Sequence, residues 1–424
     1  MNIKFRLTAM SFLQFFVWGA WLITVANYWF GTKQWSGEKF GDVFATLGYS
    51  SIIMPALTGI IADKWLNAEK LYGILHILGG LFLACVPLAG SPAAFFGIIF
   101  GAMLCYMPTI SLSNSIAYTI LKNSNYDVVK VFPPIRVWGT IGFIAAMWLT
   151  NLSGNKASGN MFYISATAAV ILGIYSFTLP KCPPQKLISE NASFVQKLGL
   201  DAFKLFKNPK IAMFFVFSMF LGAALQLTNM YGDVYLSEFA NNKAYADSFV
   251  VKYSTIIMSI SQISETLFIL AIPFFLKRFG IKQVMFISMI AWFLRFGLFS
   301  YGNPQEGLWM IIVSCIVYGM AFDFFNISGS LFIETSTDSK IRSSAQGLFM
   351  MITNGFGAVL GSKISGWMIQ KYYTSADGVR DWHGIWLVFA IYAFIIGVLF
   401  LIFFKHKHDP NAITNTHPEP LVNE

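Results

Sequence analysis

Two carboxyl groups lie inside apolar runs. Glu265 stands in Ser259-Ile260-Ser261-Gln262-Ile263-Ser264-Glu265-Thr266, and Asp323 in Tyr318-Gly319-Met320-Ala321-Phe322-Asp323-Phe324-Phe325-Asn326. An ionisable side chain surrounded by hydrocarbon is costly and is a functional candidate by default. Ionised, each carboxylate accepts hydrogen bonds; desolvated, each favours its protonated form and so can carry a proton. A guanidinium, Arg136, follows the pair Pro133-Pro134 in Phe132-Pro133-Pro134-Ile135-Arg136-Val137-Trp138-Gly139-Thr140-Ile141-Gly142-Phe143, and Gln226-Leu227-Thr228-Asn229 brings two amides into another apolar run.

Spacing sorts these groups onto faces, because residues three or four apart on a helix are neighbours. Arg136, Thr140 and Phe143 share one face, Gln226 and Asn229 a second, and Gln262 and Glu265 a third. Tyr318 and Phe322 form an aromatic pair with Asn326 one turn on, and Asp323 pairs with Asn326. A lone Gln or Asn in a membrane helix more often bonds helix to helix. Glu265 and Asp323 are better read as functional, since a carboxylate is poor glue. Arg136 is intermediate: hydropathy puts it near the end of its span, whereas a helix starting near Asp127 and kinked at Pro133 and Pro134 would carry it about two turns deeper. Arg295 reads as a counter-ion to an acid or a snorkelling anchor, and Lys363 as a snorkelling lysine. Trp18, Trp21, Trp29 and Trp148 read as core or interface-belt residues.

Turned inward, the stripes would line a cavity with amide, carboxylate, guanidinium and aromatic groups. Such a lining suits an uncharged polar solute that bears a ring; a strongly anionic solute would need more cations than Arg136. A proton entering with a neutral solute is worth about 2.3 kcal/mol per 100 mV, some tens of fold in concentration.

The elements that must hold these groups follow from composition. Of 424 residues, 56% are hydrophobic, 17% aromatic and only 12% charged. Soluble domains carry about 25% charged residues, so there is too little charge here to coat a water-soluble enzyme, and far too much apolar surface for a disordered chain. Apolar runs predict spans at 5–30, 41–62, 71–89, 92–121, 135–152, 160–179, 209–232, 253–276, 283–301, 307–333, 344–371 and 384–404. They must be helices, because open strands leave backbone groups unbonded in lipid, and no barrel-type alternation is present. The run after the basic start Met1 to Arg6 is too long for a signal-peptide core and is read as a retained first helix.

With an even number of crossings both termini share one side. Lys and Arg concentrate on the loops of that side, which places both termini in the cytoplasm. The polar stretch after the sixth span divides the chain into a six-helix bundle at 1–180, a cytoplasmic linker at 181–208, a second six-helix bundle at 209–404 and a cytoplasmic tail at 405–424. A weak internal repeat agrees: Met54-Pro55 with Asp63-Lys64 and Ile272-Pro273 with Lys277-Arg278 each end the second helix of a half. Two such halves with a site between them is a layout for alternating access.

Other features carry less. The formal charge of +9 belongs to membrane-flanking loops, with no nucleic-acid stripe. Cys85, Cys105, Cys182 and Cys315 form no C-x-x-C pair, and no H-E-x-x-H occurs, so neither disulfides nor metal are expected. His406, His408 and His417 belong to a solvated tail. Gly357 and Gly361 form a helix-packing G-x-x-x-G rather than a nucleotide loop. Asn191-Ala192-Ser193 fits a glycosylation sequon on the wrong side of the membrane. No Walker loop is present, which leaves an ion gradient or the substrate's own gradient as the energy source.

The runs Ser11-Phe12-Leu13-Gln14-Phe15, Phe132 to Arg136, Trp138 to Phe143, Ile256 to Leu270 and Ala321 to Ser330 resemble the nucleoside:proton symporters of the major facilitator superfamily, and the likeness extends to about Phe404. The resemblance implies an all-α membrane protein with twelve helices in two bundles, residence in a bacterial inner membrane, and proton-driven import of purine and pyrimidine nucleosides with no further cofactor. Carried over by motif, it implies a nucleoside pocket of Arg136, Thr140, Phe143, Gln226, Asn229, Gln262, Glu265, Tyr318, Phe322 and Asn326, with Asp323 and Glu265 as proton carriers. One position departs: where the family has a Glu two places before the seventh-helix Gln, this chain has Ala224. The expected partners are a nucleoside, a proton and membrane lipid, with no nucleic acid, and the expected state is a monomer. The alternative is a proton symporter for a sugar or another neutral polar solute. A membrane-embedded enzyme would need a catalytic or metal site on a sizeable loop, and a sensor a long signalling tail.

Overall fold

Hydrocarbon forces each segment to bond its own backbone, and the described chain is helical almost throughout. A computed structural model describes residues 2–184, 200–338 and 341–406. The sequon, most of the linker and most of the tail lie outside these residues, as do Lys186, Lys197, Lys340, His408 and His417.

Twelve membrane helices are present among the described residues. In the first half they are α1 (Ile3–Gly19), α2 (Phe40–Lys64), α3 (Ala68–Cys85), α4 (Pro92–Asn123), α5 (Val128–Leu152) and α6 (Asn160–Ser176). Past Gly19 the α1 chain loosens, then regains helix at Val25–Asn27 and a π-helical turn at Tyr28–Thr32, so the span expected at 5–30 is broken in its last third. A short 3-10 helix, Leu200–Lys207, leads into α7 (Pro209–Glu238). Ser254–Tyr301 is one helical segment broken at Gly280 into α8 (254–279) and α9 (281–301). Then follow α10 (Leu308–Ser336), α11 (Arg342–Met350, a π-helical stretch Met351–Gly357, and Ala358–Tyr372) and α12 (Trp382–Phe403).

Gly280 has φ 75° and ψ 169°, a region that only glycine occupies without strain. Gly280→Ala is expected to cost about 1–3 kcal/mol and to lower the melting temperature of the purified protein, while Ala at Gly297, where a Cβ meets no atom within 4 Å, leaves it nearly unchanged.

The expected start of the fifth span is corrected. α5 begins at Val128, not at 135; the Asp127 carbonyl accepts from the Val131 N–H at 2.9 Å, and its carboxylate accepts from the Lys130 N–H at 3.3 Å. Lys130, the two prolines and Arg136 depress local hydropathy, yet both prolines sit inside the helix. Arg136 therefore lies more than two turns in.

Glycines set how closely the site helices approach. A Cβ on Gly142 of α5 would stand 2.1 Å from the Phe12 carbonyl oxygen of α1, and one on Gly319 of α10 would stand 2.7 Å from the backbone of Ser264 in α8. The two contacts fix α5 against α1 and α8 against α10. Gly357 and Gly361 do the same for α11 against α7, where added Cβ atoms would lie 2.5 Å from the Met219 carbonyl oxygen and from the Ala223 Cα.

A set of contacts clasps the two halves at the end opposite the termini. Trp148 Nε1 of α5 donates to Ser259 Oγ of α8 at 2.9 Å, so this tryptophan also joins the two halves. The Gly37 N–H donates to Gln370 Oε1 at 2.9 Å, and Lys156 Nζ donates to the Val251 carbonyl at 2.6 Å and Ser254 Oγ at 3.0 Å. Asn27 Nδ2 donates to Asp233 Oδ2, and the Arg380 guanidinium lies 3.7 Å from the Phe30 ring centroid. Lys363 is corrected here: it forms a 3.1 Å ion pair with Asp42 across the halves instead of snorkelling.

Candidate functional site

Arg136, Thr140 and Phe143 lie near the middle of α5, Gln226 and Asn229 near that of α7, Gln262 and Glu265 near that of α8, and Tyr318, Phe322, Asp323 and Asn326 near that of α10. The structure brings charge from both halves together. The half-buried Arg136 guanidinium lies within electrostatic range of Glu265 and of Asp323, and those two acids are within range of each other. Behind it, the Phe15 ring centroid is 4.0 Å from the Arg136 guanidinium carbon. Gly139 makes room for both, since a Cβ there would stand 2.7 Å from the Phe15 ring and 2.8 Å from Arg136 Nη1.

The second half supplies acceptors. Gln226 Oε1, Gln262 Oε1, Asp323 Oδ2 and Asn326 Oδ1 are buried and have no hydrogen-bond partner among the described residues. Buried oxygens are normally satisfied, and four such acceptors near the middles of three helices suit a ligand rich in hydroxyl and N–H donors. Asp323 is 5% exposed. Thr140, Asn229 and Glu265 are half-buried.

Aromatic groups stand on the same α10 and on α5. The Tyr318 and Phe322 rings are parallel, with an interplanar angle of 2° and centroids 6.1 Å apart. From the first half, Phe143 meets Trp18 edge-on at 6.4 Å. A small cavity lined by Leu225, Trp292, Phe322, Phe325, Asn326 and Thr353 opens beside Phe322 and Asn326. Ala224, where the family pattern has an acid, is fully buried and adds no polar group.

Several residues around the site were not singled out in the sequence. Gln14 is the hub of a buried network in the first half: Tyr72 Oη donates to its Oε1 at 2.6 Å, and its Nε2 donates to Thr109 Oγ1 at 2.9 Å. His76 Nε2 lies 2.8 Å from the same Oε1, which only accepts, so that ring nitrogen carries the proton. Tyr106 Oη donates to the Gln14 carbonyl at 2.8 Å and its ring packs on Trp18 at 5.5 Å. The i, i+4 spacing of Tyr72 and His76 on an apolar helix was the available signal. Arg295 is corrected: among the described residues it forms no ion pair, and at 0% exposure it does not snorkel.

The comparisons with known proteins decide the family. A family model described as nucleoside H+ symporter matches residues 1–409. The chain belongs to the nucleoside H+ symporter family. This symporter is 50% identical to the xanthosine permease of Escherichia coli K12, over 97% of its own chain and 98% of that protein. It is equally 50% identical to the E. coli nucleoside permease NupG, over 96% and 97% of the two chains. It superposes on the crystal structure of nucleoside transporter NupG with a TM-score of 0.89, covering 96% of this chain and 100% of that one. The symporter is thus a multi-helix membrane transporter of the major facilitator fold and not an enzyme.

Proposed function

We propose that this symporter imports purine and pyrimidine nucleosides with protons by alternating access, through the site between its halves. The observation that carries the reading is that Arg136 of the first half lies within electrostatic range of Glu265 and Asp323 of the second, on helices that also bear unpaired acceptors and parallel rings. Gln226, Asn229, Gln262, Glu265 and Asn326 bond the ribose hydroxyls and base edges. Phe143, Tyr318 and Phe322 pack on the rings, and Thr140 with Arg136 completes the first-half side. Arg136 also balances the acids. Asp323, with Glu265, carries the proton, and the proton gradient is the driving force without a further cofactor.

Both termini face the cytoplasm of an inner membrane in this reading, so the clasped end faces outward and the conformation is closed to the outside. The protein acts as a monomer in lipid. Uptake of radiolabelled uridine into cells lacking their own nucleoside permeases tests the assignment: uptake is expected, sensitive to a protonophore and competed by adenosine but not by lactose. Competition by lactose alone would favour the sugar reading. Phe322→Ala removes one stacked ring and is expected to raise the KM for uridine about tenfold, from the roughly 0.5–1.5 kcal/mol of a ring pair together with lost apolar contact.

A further inference from the structure

We propose that Arg295 is a positioning residue of the nucleoside site, holding the Tyr318 ring in place and tying together the helices that carry the second-half ligands. This inference rests on Tyr318 being part of that site. Arg295 lies in α9, a helix that contributes none of the assigned site residues, and its side chain reaches across the second half. Nε donates to Thr228 Oγ1 of α7 at 3.1 Å, and Nη1 donates to Ser261 Oγ of α8 at 3.3 Å and to the Ser314 carbonyl of α10 at 2.9 Å. Ser314 Oγ returns a bond to the Arg295 carbonyl at 2.8 Å. Two of these partners are sequence neighbours of assigned ligands: Thr228 precedes Asn229, and Ser261 precedes Gln262.

The guanidinium carbon also lies 4.5 Å from the Tyr318 ring centroid. Trp292, one turn earlier on α9, meets the same ring edge-on at 5.8 Å and 89°. With the parallel Phe322 ring, α9 therefore supports Tyr318 by a cation and an indole. The planar fork suits this task, because its donors leave in fixed directions toward separate helices while its face lies on an aromatic ring.

A purely structural tie would be an odd use of this residue. A fully buried cation with no carboxylate partner among the described residues is costly, and besides Thr228 and Ser261 the polar side chain it meets is the weakly accepting Cys315 thiol. Neutral side chains could join the same helices at less expense. What the cation adds is a ring contact and a fixed register for Asn229, Gln262 and Tyr318 at once.

The test is uridine binding to the purified full-length protein, with uptake kinetics alongside, for wild type, Arg295→Lys, Tyr318→Leu and the double variant. Lysine keeps the charge but loses the fork. The expected result is a Kd and KM about tenfold higher in Arg295→Lys with Vmax within a factor of two, and a clearly smaller rise when the same change is made in the Tyr318→Leu background. An unchanged Kd in Arg295→Lys, or an equal rise in both backgrounds, overturns the inference while leaving the site standing. Loss of Vmax alone would mark a structural or transport-step role and also overturn it. If wild type binds uridine but Tyr318→Leu binds it equally well, the site reading fails at Tyr318 and takes this inference with it.

Discussion

Asp323→Asn is expected to abolish uphill accumulation of uridine while leaving uridine exchange intact. In proteoliposomes held at 100 mV, inside negative, wild type should accumulate uridine some tens of fold, since one proton supplies about 2.3 kcal/mol. The variant should stop at the external concentration. The reason lies in what Asp323 faces. Its carboxyl sits 5% exposed, with one oxygen unpartnered, in range of both Glu265 and Arg136. A carboxyl group placed among a second acid and one cation can take up and give off a proton. Asn presents the shape of the protonated form and can neither gain nor lose the proton. Binding should weaken only modestly, about 2–13-fold, the worth of one neutral hydrogen bond at roughly 0.5–1.5 kcal/mol. Glu265→Gln should behave differently. Loss of a charged acceptor costs about 1.5–3 kcal/mol, so affinity should fall by one to two orders of magnitude. Counterflow of labelled uridine separates the two outcomes, and an exchange of phenotypes between the variants would reverse the assignment of the two acids.

Gly48→Val is expected to reduce net uptake at least tenfold without abolishing nucleoside binding. Gly48 lies where α2 crosses α11 inside the clasp. A Cβ there would stand 2.6 Å from the Gly355 carbonyl oxygen, 2.6 Å from Val359 Cγ2 and 3.0 Å from the Val359 backbone nitrogen. The Val359 side chain can turn away, but backbone of the facing helix cannot. Overpacking of this kind costs about 1–3 kcal/mol, and here the whole cost falls on the clasped state. A conformation in which the halves part at this end separates Gly48 from Gly355 and Val359 and relieves that cost. The equilibrium then shifts toward the state open at the clasped end by about 5- to 150-fold. Labelling of a cysteine placed at Ser362, fully buried where α11 faces Gly41 of α2, should speed up in Gly48→Val whole cells, because that position opens with the clasp. Unchanged labelling together with normal uptake would show that α2 and α11 do not form a closing contact.

Much of this architecture was legible because the bilayer restricts the choice of structure. The twelve apolar runs could only be helices, and the break at the long polar stretch had to divide them in two. Legibility failed where local composition and local structure disagree. Pro133, Pro134, Lys130 and Arg136 lower the hydropathy of a segment that is helical from Val128, so the fifth helix looked shorter than it is. Gly19 to Thr24 and the π-helical stretch Met351–Gly357 are mostly apolar, and their few polar residues do not mark the irregularity.

The polar stripes were visible as spacings on single helices, whereas their partners across helices were not. Glu265 and Asp323 announced themselves because a carboxyl group in lipid has no bland explanation. Arg295 was noticed for the same reason but misread, since its partners are a threonine, a serine, a carbonyl and a ring rather than an acid. Lys363 was misread in the opposite sense: its partner Asp42 sits at the start of a helix in the other half, and only the closed clasp brings them to 3.1 Å. The Gln14 network combines residues from α1, α3 and α4, none of them charged, and each by itself reads as an ordinary buried polar group.

The most direct test of the account is the pH inside proteoliposomes when a nucleoside is added outside. With the protein reconstituted and a pH-sensitive dye trapped in the lumen, uridine should acidify the lumen at a rate that follows labelled uridine entry, and Asp323→Asn should admit uridine down its gradient with no acidification. Entry of uridine into wild-type vesicles at an unchanged luminal pH would contradict the proton-carrying site formed by Arg136, Glu265 and Asp323.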